Sequence, residues 1–217
     1  MSNNKFTMRL IEASIGDIDL VGGKSASLGE MLQHLKPLGV NIPDGFIVTS
    51  KAYFQFISDN QLDQKIRSVL ADLVIEDLQV LASCGSSIRE LIEQGTFSTT
   101  MEQEILMAYQ ELIGVDNMQD FGVAVRSSAT AEDLPDASFA GQQDSYLNIP
   151  GQQELLSAIK NCFASLFTDR AISYREAFNF GHFNIGLSVC IQQMVRSDQG
   201  SAGVAFSIDT ESGFKDA

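Results

Sequence analysis

The chain changes its hydrophobic periodicity at Phe121-Gly-Val-Ala-Val-Arg-Ser-Ser-Ala129. Phe121, Val123 and Val125 alternate with smaller or polar residues, which predicts a strand that buries one of its faces. A polar loop rich in Ser, Ala, Asp and Gly follows directly. This segment therefore predicts the strand at which a mainly helical portion gives way to a sheet.

The sequence before this strand has helical patterning. Apolar residues recur every three or four positions in five stretches, so we expect a helical portion over about residues 1–118. The predicted helices run from about Ser25 to before Pro37, from a cap at Ser50, over 62–73, over 78–92, and from a capping box at Thr99 and Glu102 to a stop at Gly114.

The portion over about residues 119–217 is predicted to mix strands with helices. A short strand is expected at Ser145–Ile149, followed by helices over about 152–167 and 169–180. Strands that follow helices and pair through turns favour an α+β fold with a mainly antiparallel sheet over parallel βαβ units. Two more strands are predicted to form a hairpin around a turn at 197–200, one with Leu187, Val189 and Ile191 and one with Val204, Phe206 and Ile208.

The composition is that of a globular protein with its own core. Of the 217 residues, 44% are apolar and 19% are charged. The formal charge of −14 disfavours nucleic acid or an anionic membrane surface as a partner. The sequence has no long apolar stretch, no signal-peptide order and no spacing typical of a metal site, so we expect a cytoplasmic protein. Its cysteines, Cys84, Cys162 and Cys190, are expected to be buried thiols.

A first candidate binding site is Val21-Gly-Gly-Lys-Ser25. A glycine pair allows close backbone approach, the helix N-terminus after it presents unpaired N–H groups, and Lys24 adds a full charge, which together indicate phosphate binding. The triplet from Gly23 matches the end of a Walker A motif, but the glycine required five positions earlier is Ile18, so we reject a P-loop fold. The alternative is that the glycines only end a turn and that the lysine is solvated.

A second candidate is Arg126, at the end of the predicted strand. A guanidinium held on a strand can bind phosphate through two parallel hydrogen bonds. The loop after it offers hydroxyl and backbone donors, whereas its acids would repel phosphate unless Mg²⁺ intervenes. The alternative is a surface loop in which Arg126 forms a salt bridge with one of those acids, which are Glu132, Asp133, Asp136 and Asp144.

Three further polar residues do not by themselves indicate a function. His34 and His182 have no Ser, Cys or carboxylate at a catalytic spacing, so we interpret both as structural. Gln192, in the pair Gln192-Gln193, is either a solvent-facing residue of a strand or one that contacts adenine.

Together these segments resemble the N-terminal nucleotide-binding region of the phosphoenolpyruvate synthase family, which is related to pyruvate phosphate dikinases and rifampin phosphotransferases. The resemblance covers nearly the whole chain and depends on residues 17–31, 39–49 and 126–149. It implies an ATP-grasp module, of which this chain forms the first lobe, with Mg²⁺ neutralising the phosphates of ATP.

The resemblance also implies which residues surround the nucleotide. Lys24 and Arg126 would contact ATP phosphates, Gly141 and Ser145 would border the nucleotide, and Gln192 would approach the adenine. Relatives often have Thr where Ser145 stands, which retains the hydroxyl. Neither histidine lies in a phosphohistidine motif, so no catalytic residue is expected in this chain. We expect an N-terminal fragment that stops before a second ATP-grasp lobe, a phosphohistidine domain and a pyruvate-binding barrel.

The implied activity of the full-length protein is conversion of ATP, pyruvate and water to phosphoenolpyruvate, AMP and phosphate through a phosphohistidine on another domain. Partners implied for it are ATP, and pyruvate through the other domains, and a homodimer is compatible with the resemblance. Two alternatives remain open: the ATP-binding region of a rifampin phosphotransferase, and a non-catalytic nucleotide-binding module.

Overall fold

The computed structural model describes residues 5–114, 122–130, 144–178, 180–206, 208–209 and 212–213, together with the backbone of 133–134 and 137–138. The strands are β1 (Thr7–Arg9), β2 (Gly45–Val48), β3 (Val123–Ala129), β4 (Asp133–Leu134), β5 (Ala137–Ser138), β6 (Ser145–Ile149) and β7 (Leu187–Gln193). The helices are α1 (Ile18–His34), α2 (Ser50–Asp59), α3 (Leu62–Leu70), α4 (Leu78–Glu93), α5 (Thr99–Ile113), α6 (Gly151–Ser165) and α7 (Asp169–Ala177). The predicted α+β class is therefore confirmed.

Five strands form one antiparallel sheet in the order β1-β2-β7-β3-β6. The central strand β7 pairs with β2 on one side and with β3 on the other, so that Cys190 lies opposite both Ile47 and Arg126. On the outer side of β3, Arg126 lies opposite Ser145 of the edge strand β6. The strands β4 and β5 pair only with each other.

The sheet is covered by helices on both faces. Side chains alternate between the faces of a strand. Those on one face of the sheet pack against the helices from α2 through α6 and form the main core. On the other face, Ile47 and Cys190 pack with Val21 and Leu32 of α1 in a second, smaller core. Since Arg126 shares the face of Cys190, the candidate phosphate-binding arginine lies on the side of the sheet that α1 covers.

The helix α1 differs from the prediction in its start. It begins at Ile18 and not near Ser25, but Gly22 has non-helical backbone angles and divides it. The second helical segment therefore starts close to the predicted position, because the glycine pair interrupts the helix instead of preceding it. Similarly, Ser50 is the first residue of α2 and not its cap, and its hydroxyl donates to the Asp19 carbonyl at 2.8 Å.

The start of α5 also differs from the prediction, whereas its end does not. The Ser98 hydroxyl accepts from the Met101 amide, so the cap lies one residue earlier than the predicted box at Thr99. A serine satisfies the orphan N–H groups of a first turn as well as a threonine does, which is why spacing alone does not separate the two. Gly114 ends the helix as predicted.

The predicted hairpin after Leu187 is wrong. Strand β7 forms as predicted, but its two edges are already paired with β2 and β3, so no edge is left for a hairpin partner. Residues 201–206 form no strand, and the side chains of Val204 and Phe206 are 81% and 63% exposed. The alternation after Ser201 therefore does not correspond to a buried face.

The cysteines are buried thiols, as predicted. Burial raises the pKa of Cys190 to about 12, against an opposing effect of the Arg126 charge, so this thiol is protonated at neutral pH. Within the described ranges, none of the helices has the length and apolar character needed to cross a membrane.

Candidate functional site

The break in α1 lies directly before Lys24. Gly22 has φ 72° and ψ 162°, a conformation that is essentially restricted to glycine. A Cβ at Gly22 would lie only 2.7 Å from the carbonyl carbon of Ser128, so the backbone is seated directly on β3. A new helical segment begins at Gly23, and the exposed Lys24 lies in its first turn.

Two buried serines attach this segment to the central strands. The Ser25 amide donates to the Ser128 hydroxyl at 3.3 Å. The Ser188 hydroxyl donates to the Val21 carbonyl and lies 3.1 Å from the Ser128 carbonyl oxygen. Ser128 and Ser188 lie opposite each other on β3 and β7. The Val21–Ser25 segment is therefore bound to the sheet on both sides of Gly22.

Arg126 is the exposed residue of a strand whose other six residues are buried. It precedes Ser128 by two residues, so both side chains lie on one face of β3, about 7 Å apart along the strand. No carboxylate of the described residues forms an ion pair with Arg126. Its guanidinium is thus held on a rigid element with its charge directed to solvent.

Of the four loop acids that could form a salt bridge with Arg126, Asp144 is the one whose side chain the structure describes. The Asp144 carboxylate accepts from the Tyr146 hydroxyl at 3.4 Å, and its carbonyl accepts from the Ser127 hydroxyl at 3.3 Å. The described residues contain no ion pair between Asp144 and Arg126, so the salt-bridge alternative is wrong for Asp144. The side chains of the other three loop acids, Glu132, Asp133 and Asp136, lie outside the described residues.

The structure brings two more of the predicted site residues to the same face of the sheet. Ser145 is exposed on β6 and lies opposite Arg126. Gln192 of β7 lies opposite Ala124 of β3, which places it on the same face as Arg126. Its side chain is buried, and its amide donates to the Pro43 carbonyl at 3.0 Å. The solvent-facing interpretation of Gln192 is thus wrong. The fifth predicted residue, Gly141, lies outside the described residues.

This face carries two cationic side chains in a chain whose formal charge is −14. The helical segment 23–34 starts beside β3, and a helix N-terminus has a positive dipole end. Lys24 and Arg126 add two full charges to the same region. The arrangement can bind an anionic group that spans the space between the helix N-terminus and the strand. In the part of the chain that the structure describes, no cluster of His, Cys, Asp or Glu could hold a metal ion.

The two histidines lie in hydrogen-bonded contacts of other kinds. His182 Nδ1 accepts from Arg175 Nε at 2.9 Å, so its proton lies on Nε2, which is 2.6 Å from the Glu176 carboxylate. Burial, with the Arg175 charge, lowers the pKa of His182. His34 contacts Glu30 within α1. These contacts agree with the structural interpretation of both histidines, which stays a prediction.

We expect His182 to make the stability of the protein depend on pH. Because its pKa is lowered in the folded state, the unfolded chain binds its proton first as pH falls below the usual value of about 6.5. The stabilisation is present above that pH and is lost as pH falls through the folded pKa. Urea unfolding at about pH 7.5 and pH 5.5 should therefore show a smaller pH effect in His182→Gln than in the wild type. The matched control is His34→Gln, which removes an imidazole that is 72% exposed, and equal pH effects in all three proteins would contradict the prediction.

Comparison with known proteins identifies the relatives of the chain. Residues 18–217 match the sequence model of the pyruvate phosphate dikinase AMP/ATP-binding domain family. The chain is 56% identical to the phosphoenolpyruvate synthase of Aquifex aeolicus, over 95% of this chain and 24% of that protein. It is 55% identical to the phosphoenolpyruvate synthase of Helicobacter pylori, over 93% of this chain and 25% of that protein.

A third relative is the phosphoenolpyruvate synthase of Escherichia coli, which is 48% identical over 99% of this chain and 27% of that protein. These names favour the synthase resemblance over the rifampin phosphotransferase alternative. The chain spans about a quarter of the length of the curated relatives it matches.

Proposed function

Because the chain belongs to the family of pyruvate phosphate dikinase AMP/ATP-binding domains, we propose that it binds ATP as the N-terminal region of a phosphoenolpyruvate synthase. The observation that carries the proposal is the position of Arg126, exposed on a buried strand and on the face where the helix N-terminus at Gly23 meets the sheet. A planar guanidinium fixed in this way suits the oxygens of a phosphate. The charge of Lys24 and the positive dipole end of the helix would complete a phosphate-binding region.

We assign the other predicted residues to the remainder of the nucleotide. Ser145, beside Arg126, would donate its hydroxyl to ATP, and Gly141 would border it through its backbone. Gln192 would lie at the adenine end, oriented by its hydrogen bond to the Pro43 carbonyl. Mg²⁺ would neutralise the charge of the phosphates next to the acids of the loop, in the first lobe of an ATP-grasp module.

The proposed reaction of the full-length protein converts ATP, pyruvate and water to phosphoenolpyruvate, AMP and phosphate through a phosphohistidine outside this chain. In it, Lys24 and Arg126 would stabilise the charge that develops on the transferred phosphoryl group. Pyruvate would bind to other domains. We place the protein in the cytoplasm, where thiols such as the buried Cys84, Cys162 and Cys190 stay reduced.

The test is product analysis with the full-length protein. Incubation with MgATP and pyruvate should yield phosphoenolpyruvate, AMP and phosphate in equal amounts, as followed by phosphorus NMR. Without pyruvate, the protein should become labelled by a phosphoryl group of ATP. Formation of ADP alone, or phosphate transfer to rifampin in place of pyruvate, would contradict the proposal.

A further inference from the structure

We propose that Ser188 is a positioning residue of the ATP site, because its hydroxyl fixes the Gly22 break of α1 on the sheet and so sets the place of Lys24 relative to Arg126. This inference rests on the proposed function. It assigns to Ser188 no contact with ATP, since the side chain is fully buried beneath the segment that carries Lys24.

The hydrogen bonds at the break show why a hydroxyl is needed at this point. In a regular helix the Ser25 amide would donate to the Val21 carbonyl, four residues earlier. Gly22 breaks the helix between the two, and each group meets a serine: the Ser25 amide donates to the Ser128 hydroxyl, and the Val21 carbonyl accepts from the Ser188 hydroxyl. Val21 is fully buried, so its carbonyl depends on protein donors.

Through these hydrogen bonds, the central strands determine where the segment with Lys24 lies. Ser128 and Ser188 lie opposite each other on β3 and β7, and the two strands pair over seven residues, so their separation is fixed. Lys24 directly precedes Ser25, and Arg126 precedes Ser128 by two residues on the same strand face. These hydrogen bonds therefore connect the backbone beside Lys24 to the strand that carries Arg126.

Loss of the Ser188 hydroxyl leaves the buried Val21 carbonyl without that donor. The penalty for a buried unsatisfied carbonyl can be relieved if the segment moves away from the sheet and admits water. Such a movement would displace Lys24 and the helix N-terminus while Arg126 stays on β3. The affinity for the phosphates of ATP should fall, and contacts to the nucleoside should not change.

The test compares Ser188→Ala with the wild type in the full-length protein. Ser188→Ala should bind MgATP about tenfold more weakly, the factor expected from one buried hydrogen bond, and should bind adenosine as the wild type does. Amide hydrogen exchange over residues 22–26, measured without nucleotide, should become faster. Ser188→Cys replaces the hydroxyl with a larger thiol that is a weaker donor, so it is the second variant and should shift both measurements in the same direction.

The matched control is Ser165→Ala. It deletes another buried hydroxyl, which donates to the Cys162 carbonyl at 2.7 Å within α6, and should change neither measurement. Unchanged exchange over residues 22–26 with intact MgATP binding would overturn this inference and leave the proposed function standing. Equal weakening of MgATP and adenosine would also overturn it. Absence of MgATP binding by the wild type would overturn the proposed function, and with it any role of Ser188 in ATP binding.

Discussion

Arg126→Ala should reduce kcat/KM for ATP by at least about 100-fold in the full-length protein, the scale expected when a charged group that stabilises a transferred phosphoryl is removed. The side chain is exposed on a strand whose other residues are buried, so its loss removes charge and hydrogen-bond donors without opening a cavity in the core. The free energy of unfolding should therefore stay close to that of the wild type. Initial rates at varied ATP concentration, with urea unfolding of the same preparations, separate the two effects.

Two variants test whether the effect belongs to the geometry of Arg126. Arg126→Lys keeps the charge but loses the planar pair of donors, so its rate should lie between those of the wild type and Arg126→Ala. Arg67→Ala removes an exposed arginine of α3, where it pairs with Asp63 at 3.0 Å and covers the Phe183 ring at 4.1 Å, and it should retain the rate. Wild-type kinetics of Arg126→Ala would show that the assignment of Arg126 is wrong.

The strands differ in how well sequence predicts them, for a physical reason. The bounds of β6, Ser145–Ile149, agree with the prediction, as Pro150 follows and cannot continue the ladder. By contrast, β2 consists of Gly45–Val48 and is buried on both faces, so it shows no alternation and was not predicted. The hairpin predicted after Leu187 is wrong for a different reason. Alternation indicates a possible strand, but it does not show whether the neighbouring strand has an unpaired edge to which it could bind.

The sequence singles out the two charged residues of the candidate site, but it does not show which residues hold them in place. Lys24 follows a glycine pair, which is a local signal of anion binding. The alternating residues end at Val125 and so predict that Arg126 ends the strand, but this placement is wrong: β3 continues to Ala129 through small residues, and Arg126 lies in its middle. Ser188 is only a serine in an apolar strand, and its contact with Ser128 spans 60 residues of sequence. Such a contact depends on which strands pair and in which register, and a single sequence does not contain that information in local form.

The sequence does not show which glycine of the pair is required, or why. The structure predicts a specific effect of replacing Gly22. Gly22→Ala should lower the free energy of unfolding by about 2–6 kcal/mol, the sum of about 1–3 kcal/mol of backbone strain and about 1–3 kcal/mol of overpacking against Ser128. MgATP binding should be lost as well, because the clash can be relieved only if the segment with Lys24 leaves β3.

Gly114 provides a control that isolates the contact from the backbone strain. Its φ of 74° and ψ of 153° are close to the 72° and 162° of Gly22. Apart from Gly114 and its two chain neighbours, however, no atom of the described residues lies within 4 Å of the position that a Cβ would occupy. Gly114→Ala should therefore show the strain alone, about 1–3 kcal/mol in urea unfolding, with MgATP affinity unchanged. The difference between the two variants measures how closely the break in α1 is seated on Ser128. If both variants lose the same free energy and both bind MgATP, close approach to β3 is not what requires glycine at position 22.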